Sequence, residues 1–366
     1  MNVKYCLSLF ITLFFILLFC SCAIFLRKSS ISNTEIVIFP SPPDTARIQF
    51  LTSFSTSQDI TEEKSSFLKF VLGEEETKKI NKPYGIAIRN SKIYICDLGI
   101  GGLEIIDLEN NTFEYFIPSG KGKLISPANC FVDQKEYLYV TDVKRQQVVI
   151  FDDKGNYVNV IGNNGNFNPF DVYVTQDRIW VSDIDNHRIC EYNKAGYDLL
   201  NSYPEGEQED PQYLHKPTNI FLSDNEIFVC DLGSVKINKY TQAGEFVLSI
   251  GSRGKNIGQF VRPKGIALDN EKNLYVIDAA FENVQIFDQE GKLLMFFGGP
   301  YQGPGYMYLP AQITIDYDNL KYFKKYVDNS FELKYLIFVT NQYGPDKINV
   351  YGFVDLKEEI DSSVQK

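Results

Sequence analysis

The sequence has very little histidine, since only His187 and His215 occur in 366 residues. A catalytic site built on several histidines is therefore excluded. Basic residues are also in deficit, because 36 Lys and Arg stand against 47 Asp and Glu and leave a net charge of −11. Nucleic acids and anionic lipid headgroups select basic surfaces, so neither is expected as the main partner.

Cysteine is sparse as well. Seven occur in the chain, and those beyond the first 22 residues are Cys96, Cys130, Cys190 and Cys230. A chain of this length buries a full core without disulfides or metals. An even number permits disulfides in an oxidising compartment, but buried free thiols are the favoured interpretation.

The chain begins with a targeting segment, "MNVKYCLSLFITLFFILLFCSC". One lysine, a long apolar run and a small-residue end are typical of a secretory signal. The ending "FCSC" resembles a bacterial lipoprotein signal, which implies that residues 1–21 are removed and that Cys22 carries lipid. The alternative is a transmembrane anchor, because residues 7–26 are long enough to span a membrane. Simple secretion is the third and least favoured alternative. All three place the folded part outside the cytoplasm, and the expected location is the cell envelope, held at a membrane.

What the sequence has in abundance is a repeat. Six units of similar pattern begin at prolines separated by 44, 42, 48, 46 and 47 residues. Regular self-similarity at this period indicates a repeat architecture. The six prolines are Pro83, Pro127, Pro169, Pro217, Pro263 and Pro310.

Each unit reads as four short alternating strands separated by turn residues. The second strand ends in aspartate in the first five units, as in "LYVTD" at residues 138–142, and in asparagine in the sixth. Four-stranded units at this period are typical of propeller blades. The sequence therefore predicts an all-β fold, a six-bladed β-propeller of four-stranded antiparallel blades.

The sixth unit lacks a fourth strand of its own, because a polar tail follows its third strand. The segment "ARIQFLTSFST" at residues 46–56 has a strand pattern and precedes the first unit. We expect it to complete the last blade and close the ring, which removes exposed sheet edges. The predicted organisation is a signal at 1–21, a linker at 22–45, a propeller at 46–356 and a tail at 357–366.

The resemblance to a known family is strongest in the fifth unit. Residues 251–298, "GSRGKNIGQFVRPKGIALDNEKNLYVIDAAFENVQIFDQEGKLLMFFG", are similar to an NHL repeat, and so is "VSDIDNHRICEYNKAGY" at 181–197. The resemblance covers roughly residues 83–353. It implies a six-bladed β-propeller, but no single activity, since relatives include binding modules, scaffolds and enzymes.

One end of the predicted ring collects the candidate binding residues. Antiparallel strands place the repeat prolines, the ends of the second strands and the inter-blade loops at the same end, and such loops commonly bind ligands. The Asp/Asn series could coordinate a hard cation, although accepting backbone N–H bonds at a turn is the favoured role. The candidates are Asp97, Asp142, Asp183, Asp231, Asp278, Asn341, His215, Arg253, Tyr301 and Tyr306.

Three smaller features complete the prediction. His187 is interpreted as a turn residue. Cys96 and Cys230 hold the same position in opposite blades, too far apart for a disulfide, while Cys130 and Cys190 have no clear partner. The insertion at residues 316–334 is expected to form a long hairpin or a short helix at the opposite end of the ring.

Two functions remain open from the sequence. The first is a non-catalytic module that binds a protein, peptide or glycan in the cell envelope, and it assigns no catalytic residue or metal ligand. The second is an enzyme, since six-bladed relatives include calcium-dependent lactonases and histidine-using lyases. The scarcity of histidine disfavours a lyase. No cofactor is predicted, and calcium is the possible one if the protein is a lactonase-like enzyme.

Overall fold

Each repeat unit folds into one antiparallel sheet whose first strand begins at the repeat proline. The computed structural model describes residues 36–60, 76–162 and 165–357. Strands of blades one to three are β3 (Pro83–Arg89), β4 (Lys92–Asp97), β5 (Gly102–Asp107), β6 (Thr112–Phe116), β7 (Pro127–Val132), β8 (Leu138–Asp142), β9 (Gln147–Phe151), β10 (Tyr157–Ile161), β11 (Pro169–Val174), β12 (Arg178–Asp183), β13 (Arg188–Asn193) and β14 (Leu199–Tyr203).

The remaining blades follow the same order. Their strands are β15 (Pro217–Ser223), β16 (Glu226–Asp231), β17 (Lys236–Thr241), β18 (Phe246–Ile250), β19 (Pro263–Leu268), β20 (Leu274–Asp278), β21 (Asn283–Phe287), β22 (Leu293–Gly298), β23 (Pro310–Asp316), β24 (Phe331–Asn341) and β25 (Ile348–Leu356), joined by β1 (Ile38–Phe39) and β2 (Ile48–Phe54). The helical pieces are η1 (Ser57–Asp59), η2 (Gly120–Gly122), α1 (Leu320–Phe323) and η3 (Lys324–Tyr326).

The blades form a closed ring. The first strands of successive blades contact one another, and β23 of the last blade contacts β3 of the first. Inner strands such as β8 are buried along their whole length, because neighbouring blades cover both faces. Outer strands such as β22 alternate between more and less exposed residues, since one face meets solvent. The predicted six-bladed propeller is confirmed.

The N-terminal strand closes the ring as predicted. Strand β2 pairs antiparallel with β25, from Ile48 opposite Phe353 to Phe54 opposite Ile348. Strand β1, which lies in the stretch assigned to a linker, pairs with β2 and makes the last sheet five-stranded. The predicted signal or anchor at residues 1–26 lies outside the described residues. Within the described ranges, no helix is long and apolar enough to cross a membrane.

Hydroxyl groups connect neighbouring blades near the ends of the second strands. Thr340 donates to the Tyr84 carbonyl oxygen of the next blade at 2.7 Å, and Ser182 donates to the Thr218 carbonyl oxygen at 2.6 Å. Each hydroxyl also accepts an N–H from the first strand of its own blade. One side chain thus joins two blades at a buried point.

The cysteines of the propeller are buried and free. Cys96 and Cys230 occupy the positions that hold these hydroxyls in other blades, while Cys130 and Cys190 lie on strands β7 and β13. The expected free thiols are confirmed among the described residues. Cys130 does have a neighbour that the sequence did not indicate, because its thiol lies beside that of Cys96. Burial, followed by this contact, raises the pKa of Cys96.

The insertion of the sixth blade forms a short helix, one of the two expected forms. Helix α1 buries Phe323, whose ring lies 6.1 Å from that of Phe54 and 5.5 Å from that of Phe338. The insertion therefore anchors itself against the last blade and its closing strand.

Candidate ligand-binding face at the proline end

The register of the blades places the candidate residues at one end of the ring. Pro83 lies opposite Asp97 across the first strand pair, and Pro310 lies opposite Asn341 in the last blade. The loops that join successive blades enter at the same points. We call this surface the proline end.

The Asp/Asn series hydrogen-bonds to the backbone at the proline end. The Asp278 carboxylate accepts N–H bonds from Val261 at 2.7 Å, Arg262 at 3.1 Å and Ala280 at 2.9 Å. In the sixth blade, the Asn341 side-chain oxygen accepts one from Tyr308 at 3.1 Å. Asp97, Asp142, Asp183, Asp231, Asp278 and Asn341 are all buried and all accept backbone N–H bonds in this way. Their role as ligand contacts stays a prediction.

His215 and Arg253 belong to one cluster between the fourth blade and its neighbours. The His215 ring lies 5.1 Å from that of Tyr213, and the His215 carbonyl oxygen contacts His187 Nδ1 at 2.8 Å. Arg253 donates to the carbonyl oxygen of Gly233, which packs against His215. His187 has a φ of 58°, so it occupies a left-handed turn position, in keeping with its interpretation as a turn residue.

Tyr301 is one of three tyrosines in a row, of which Tyr301 and Tyr308 lie in the loop before the sixth blade and Tyr343 lies between its strands β24 and β25. The Tyr301 ring is 6.4 Å from Tyr308, which is 6.2 Å from Tyr343. The exposed fractions of Tyr308 and Tyr343 are 47% and 46%, large for aromatic side chains. We call these three residues the tyrosine ledge.

Tyr306 lies apart from the ledge. Its ring packs edge-on against Phe39 at 6.0 Å, and its carbonyl oxygen accepts a bond from the Asn349 side chain. These contacts fix the loop before the last blade onto strand β1. The structure thus separates Tyr306 from Tyr301, although the sequence placed both in one loop.

The centre of the ring is filled by polar side chains from the first strands. Gln312 Nε2 lies 3.3 Å from Asn129 Oδ1, which joins the sixth and second blades although these are not neighbours. Tyr84 of the first blade meets Phe170 of the third, with ring centroids 5.6 Å apart. Residues that begin the first strands therefore converge on the axis.

Three cations converge at this axial end, and the sequence analysis did not find them. Lys82 and Arg262 directly precede repeat prolines, and Lys264 directly follows one. Lys264 Nζ lies 5.1 Å from the centroid of Tyr84 and 3.5 Å from Gln342 Oε1. Lys264 is 5% exposed, whereas Arg262 is exposed. We call Lys82, Arg262 and Lys264 the central cation cluster.

The electrostatics of Lys264 are unusual. Burial, and then the positive charges of Arg262 and Lys82, lower the pKa of Lys264 to about 7. Within the described ranges of the chain, no acidic side chain forms an ion pair with any member of the cluster. The cluster connects to the tyrosine ledge, since Lys82 Nζ lies 5.5 Å from the centroid of Tyr343.

Two buried carboxyl groups also have shifted pKa values. Burial, and then the adjacent Asp97 carboxylate, raise the pKa of Glu104 to about 10. Burial raises the pKa of Asp171 to about 7, although the Ile220 and Val172 N–H groups oppose this rise. Neither belongs to a metal cluster. In the part of the chain that the structure describes, no group of three or more His, Cys, Asp or Glu side chains could hold a metal ion.

A cleft of about 430 Å³ lies away from this chemistry, between the first two blades. Its lining includes Tyr115, Phe116 and Tyr157 and carries no charged side chain. We therefore place the candidate site at the proline end.

Comparisons with known proteins support the fold. No family model matches the sequence, and the search of curated proteins found no match. Among solved structures, the chain is similar to a protein of unknown function from Bacteroides thetaiotaomicron, with a TM-score of 0.58, 13% identity, and coverage of 84% of this chain and 76% of that one. At such identity the likeness shows the fold alone.

Two similar structures are enzymes. A gluconolactonase from Xanthomonas campestris matches with a TM-score of 0.54 and 16% identity over 84% of this chain and 98% of that one. A virginiamycin B lyase from Staphylococcus aureus, in a catalytically inactive form with quinupristin, matches with a TM-score of 0.51 and 16% identity over 75% of this chain and 95% of that one. These matches show a shared six-bladed architecture.

Proposed function

We propose that the protein is an exported, membrane-anchored propeller of NHL type that binds a protein, peptide or glycan of the cell envelope. The ligand contacts the proline end of the ring. The observation that carries this proposal is the tyrosine ledge beside the central cation cluster, because tyrosine and arginine are enriched at binding surfaces and Tyr308, Tyr343 and Arg262 are exposed here. A lipid on Cys22 holds the propeller at the membrane.

An enzyme of lactonase or lyase type is the less favoured function. The chain has only two histidines, and both lie in one cluster where His187 supports a turn. The carboxylates of the Asp series accept backbone N–H bonds, which leaves fewer oxygen lone pairs for calcium. The binding function does not require these groups to act in catalysis.

Site-specific photo-crosslinking in cells tests the binding function. A photoreactive phenylalanine analogue replaces Tyr343 on the ledge, and the matched control carries it at Tyr326, 37% exposed in the insertion at the other end of the ring. We expect a discrete crosslinked product from position 343 and none from 326. Equal labelling at both positions, or none at 343 together with no binding of the detergent-solubilised full chain to a glycan array, would contradict the proposal.

The anchor is tested separately. Mass spectrometry of the mature N-terminus should find diacylated or triacylated Cys22 with residues 1–21 absent. In the Cys22→Ser variant we expect this lipid to be lost. An intact N-terminus that retains the apolar run would favour the transmembrane anchor.

A further inference from the structure

We propose that the central cation cluster is an oxyanion site, which binds a carboxylate, phosphate or sulfate group of the ligand. The proposal rests on the proposed function in that the rest of the ligand lies on the tyrosine ledge. It adds a specific chemistry, because it requires the ligand to carry negative charge at the point that enters the ring axis.

The first argument is the missing counter-ion of Lys264. Buried charges in proteins are paired or neutralised, since an isolated buried ion is costly. Lys264 is 5% exposed, and its polar contact is the neutral amide oxygen of Gln342 at 3.5 Å. In a chain with net charge −11, anionic partners are plentiful, yet the described residues place none beside this ammonium group. A bound anion supplies the missing charge.

The second argument is the convergence of donors from two blades that are not neighbours. Lys82 directly precedes the first strand of the first blade, and Arg262 and Lys264 flank the proline that begins the fifth. Ammonium and guanidinium groups donate only, and their hydrogen bonds to oxyanions are about twice as strong as neutral ones.

The third argument is the gradient of exposure. Arg262 is exposed, Lys82 is partly buried, and Lys264 is buried beside Tyr84. This arrangement fits a small anionic group that enters end-on better than a flat charged surface. The tyrosine ledge is next to the cluster, because Lys82 lies over the Tyr343 ring.

Binding should depend on pH. The groups that face Lys264 are Arg262, Lys82, the Cys230 thiol and the Tyr84 ring. With its pKa lowered to about 7, the ammonium loses its proton as the pH rises through 7. A bound anion favours the protonated form, so affinity should be greatest below pH 7 and should fall above it.

The experiment measures sulfate and tartrate binding by titration calorimetry, using the full chain in detergent. Both probes keep constant charge between pH 6 and roughly pH 8. We expect Lys264→Met to weaken sulfate binding by about tenfold or more, as loss of a charge-assisted hydrogen bond predicts. The matched control is Lys292→Met, an exposed lysine of a distant turn, and it should leave the affinity unchanged.

A folding control accompanies the titration. Methionine removes a buried charge and keeps a similar volume, so Lys264→Met should melt at the same temperature as the wild type or higher at pH 6. Preference for sulfate supports a phosphate- or sulfate-type ligand, and preference for tartrate supports a carboxylate. No binding of either probe to the wild type, or equal binding to folded Lys264→Met, overturns the proposal.

The two proposals fail in different ways. Lys264-dependent sulfate binding without crosslinking at position 343 would leave the oxyanion site standing and refute the larger ligand surface. Crosslinking at position 343 that persists unchanged in Lys264→Met, without anion binding, would refute the oxyanion site and leave the larger ligand surface standing.

Discussion

Single carboxylates organise the turns of the propeller. Asp278 accepts three backbone N–H bonds between 2.7 and 3.1 Å, and two of the donors belong to the loop before its own blade. The same arrangement recurs around the ring because each blade must connect its first strand to the preceding loop. Repetition of aspartate thus reflects the backbone donors that every blade presents.

Replacing Asp278 by alanine should leave these donors unsatisfied. Since each buried unpaired group costs about 1–3 kcal/mol, we expect Asp278→Ala to lower the free energy of unfolding by about 3 kcal/mol. Asp278→Asn should cost less, because asparagine fills this role in the sixth blade. Urea denaturation measures both, with exposed Asp153→Ala as control. A loss below about 1 kcal/mol for alanine would contradict the structural role.

Glu104 shows how one position varies between blades. It lies seven residues after Asp97, and Gln285 lies seven residues after Asp278 in the fifth blade. Gln285 accepts one hydrogen bond from the loop before its blade and donates another to the same loop. Glu104 is instead a buried acid whose pKa is raised to about 10 by burial and by Asp97.

The Glu104 proton makes stability depend on pH. The folded state keeps a proton that the unfolded state releases above about 4.5, so this group lowers stability as the pH rises from about 4.5 to about 10. Glutamine has no proton to lose. The melting temperature of Glu104→Gln, relative to wild type, should therefore rise between pH 5 and roughly pH 9. Exposed Glu114→Gln is the control; a constant difference across this range would refute the prediction.

At the scale of the element, the closing strand decides whether the ring is complete. Ile48 of β2 is fully buried, and it pairs with Phe353 of β25. The strand precedes the first blade in the sequence, so its pairing with β25 holds the two ends of the propeller chain together in the sheet of the last blade. Its hydrophobic contacts should contribute to global stability.

Ile48→Ala should destabilise the whole propeller by about 2–5 kcal/mol, the usual cost of truncating a buried isoleucine. Leu356→Ala, at the 57% exposed end of β25, should change stability by less than about 0.5 kcal/mol. Thermal denaturation measures both variants. Similar melting temperatures for the two would indicate that the closing strand is dispensable.

At the scale of the whole molecule, three cations collect near the ring axis of an acidic chain. The chain has a net charge of −11, yet its axial end gathers Lys82, Arg262 and Lys264. The aspartate series lies at the same end but is turned to backbone N–H groups. The molecule therefore offers a ligand positive charge at the axis.

The hydrogen bonding of the aspartates predicts the response to calcium. Because the aspartate oxygens are already hydrogen-bonded, millimolar calcium should leave the melting temperature unchanged, since a cation that does not bind the folded state cannot stabilise it. Scanning calorimetry with calcium and with magnesium as control measures the effect. A calcium-specific increase that Asp278→Asn abolishes would instead establish the cation site considered in the sequence analysis.

Most of the architecture could be predicted from the amino-acid sequence. Repeat prolines and strand-end aspartates recur at nearly constant spacing, and alternating patterns mark each strand, because local turn chemistry and burial repeat in every blade. Even the closing strand could be predicted, because the sixth unit lacks a fourth strand of its own and needs one from elsewhere in the chain. The position of Tyr301 in an inter-blade loop also marks it as a binding candidate.

Contacts between side chains that are distant in the sequence could not be predicted before the fold was known. Lys82 and Lys264 are 182 positions apart, and the sequence gives no sign that both reach the axis. Their proximity depends on closure of the ring, which brings the first and fifth blades to either side of the sixth. Burial and charge repulsion arise from that convergence, so the low pKa of Lys264 is a property of the assembled ring.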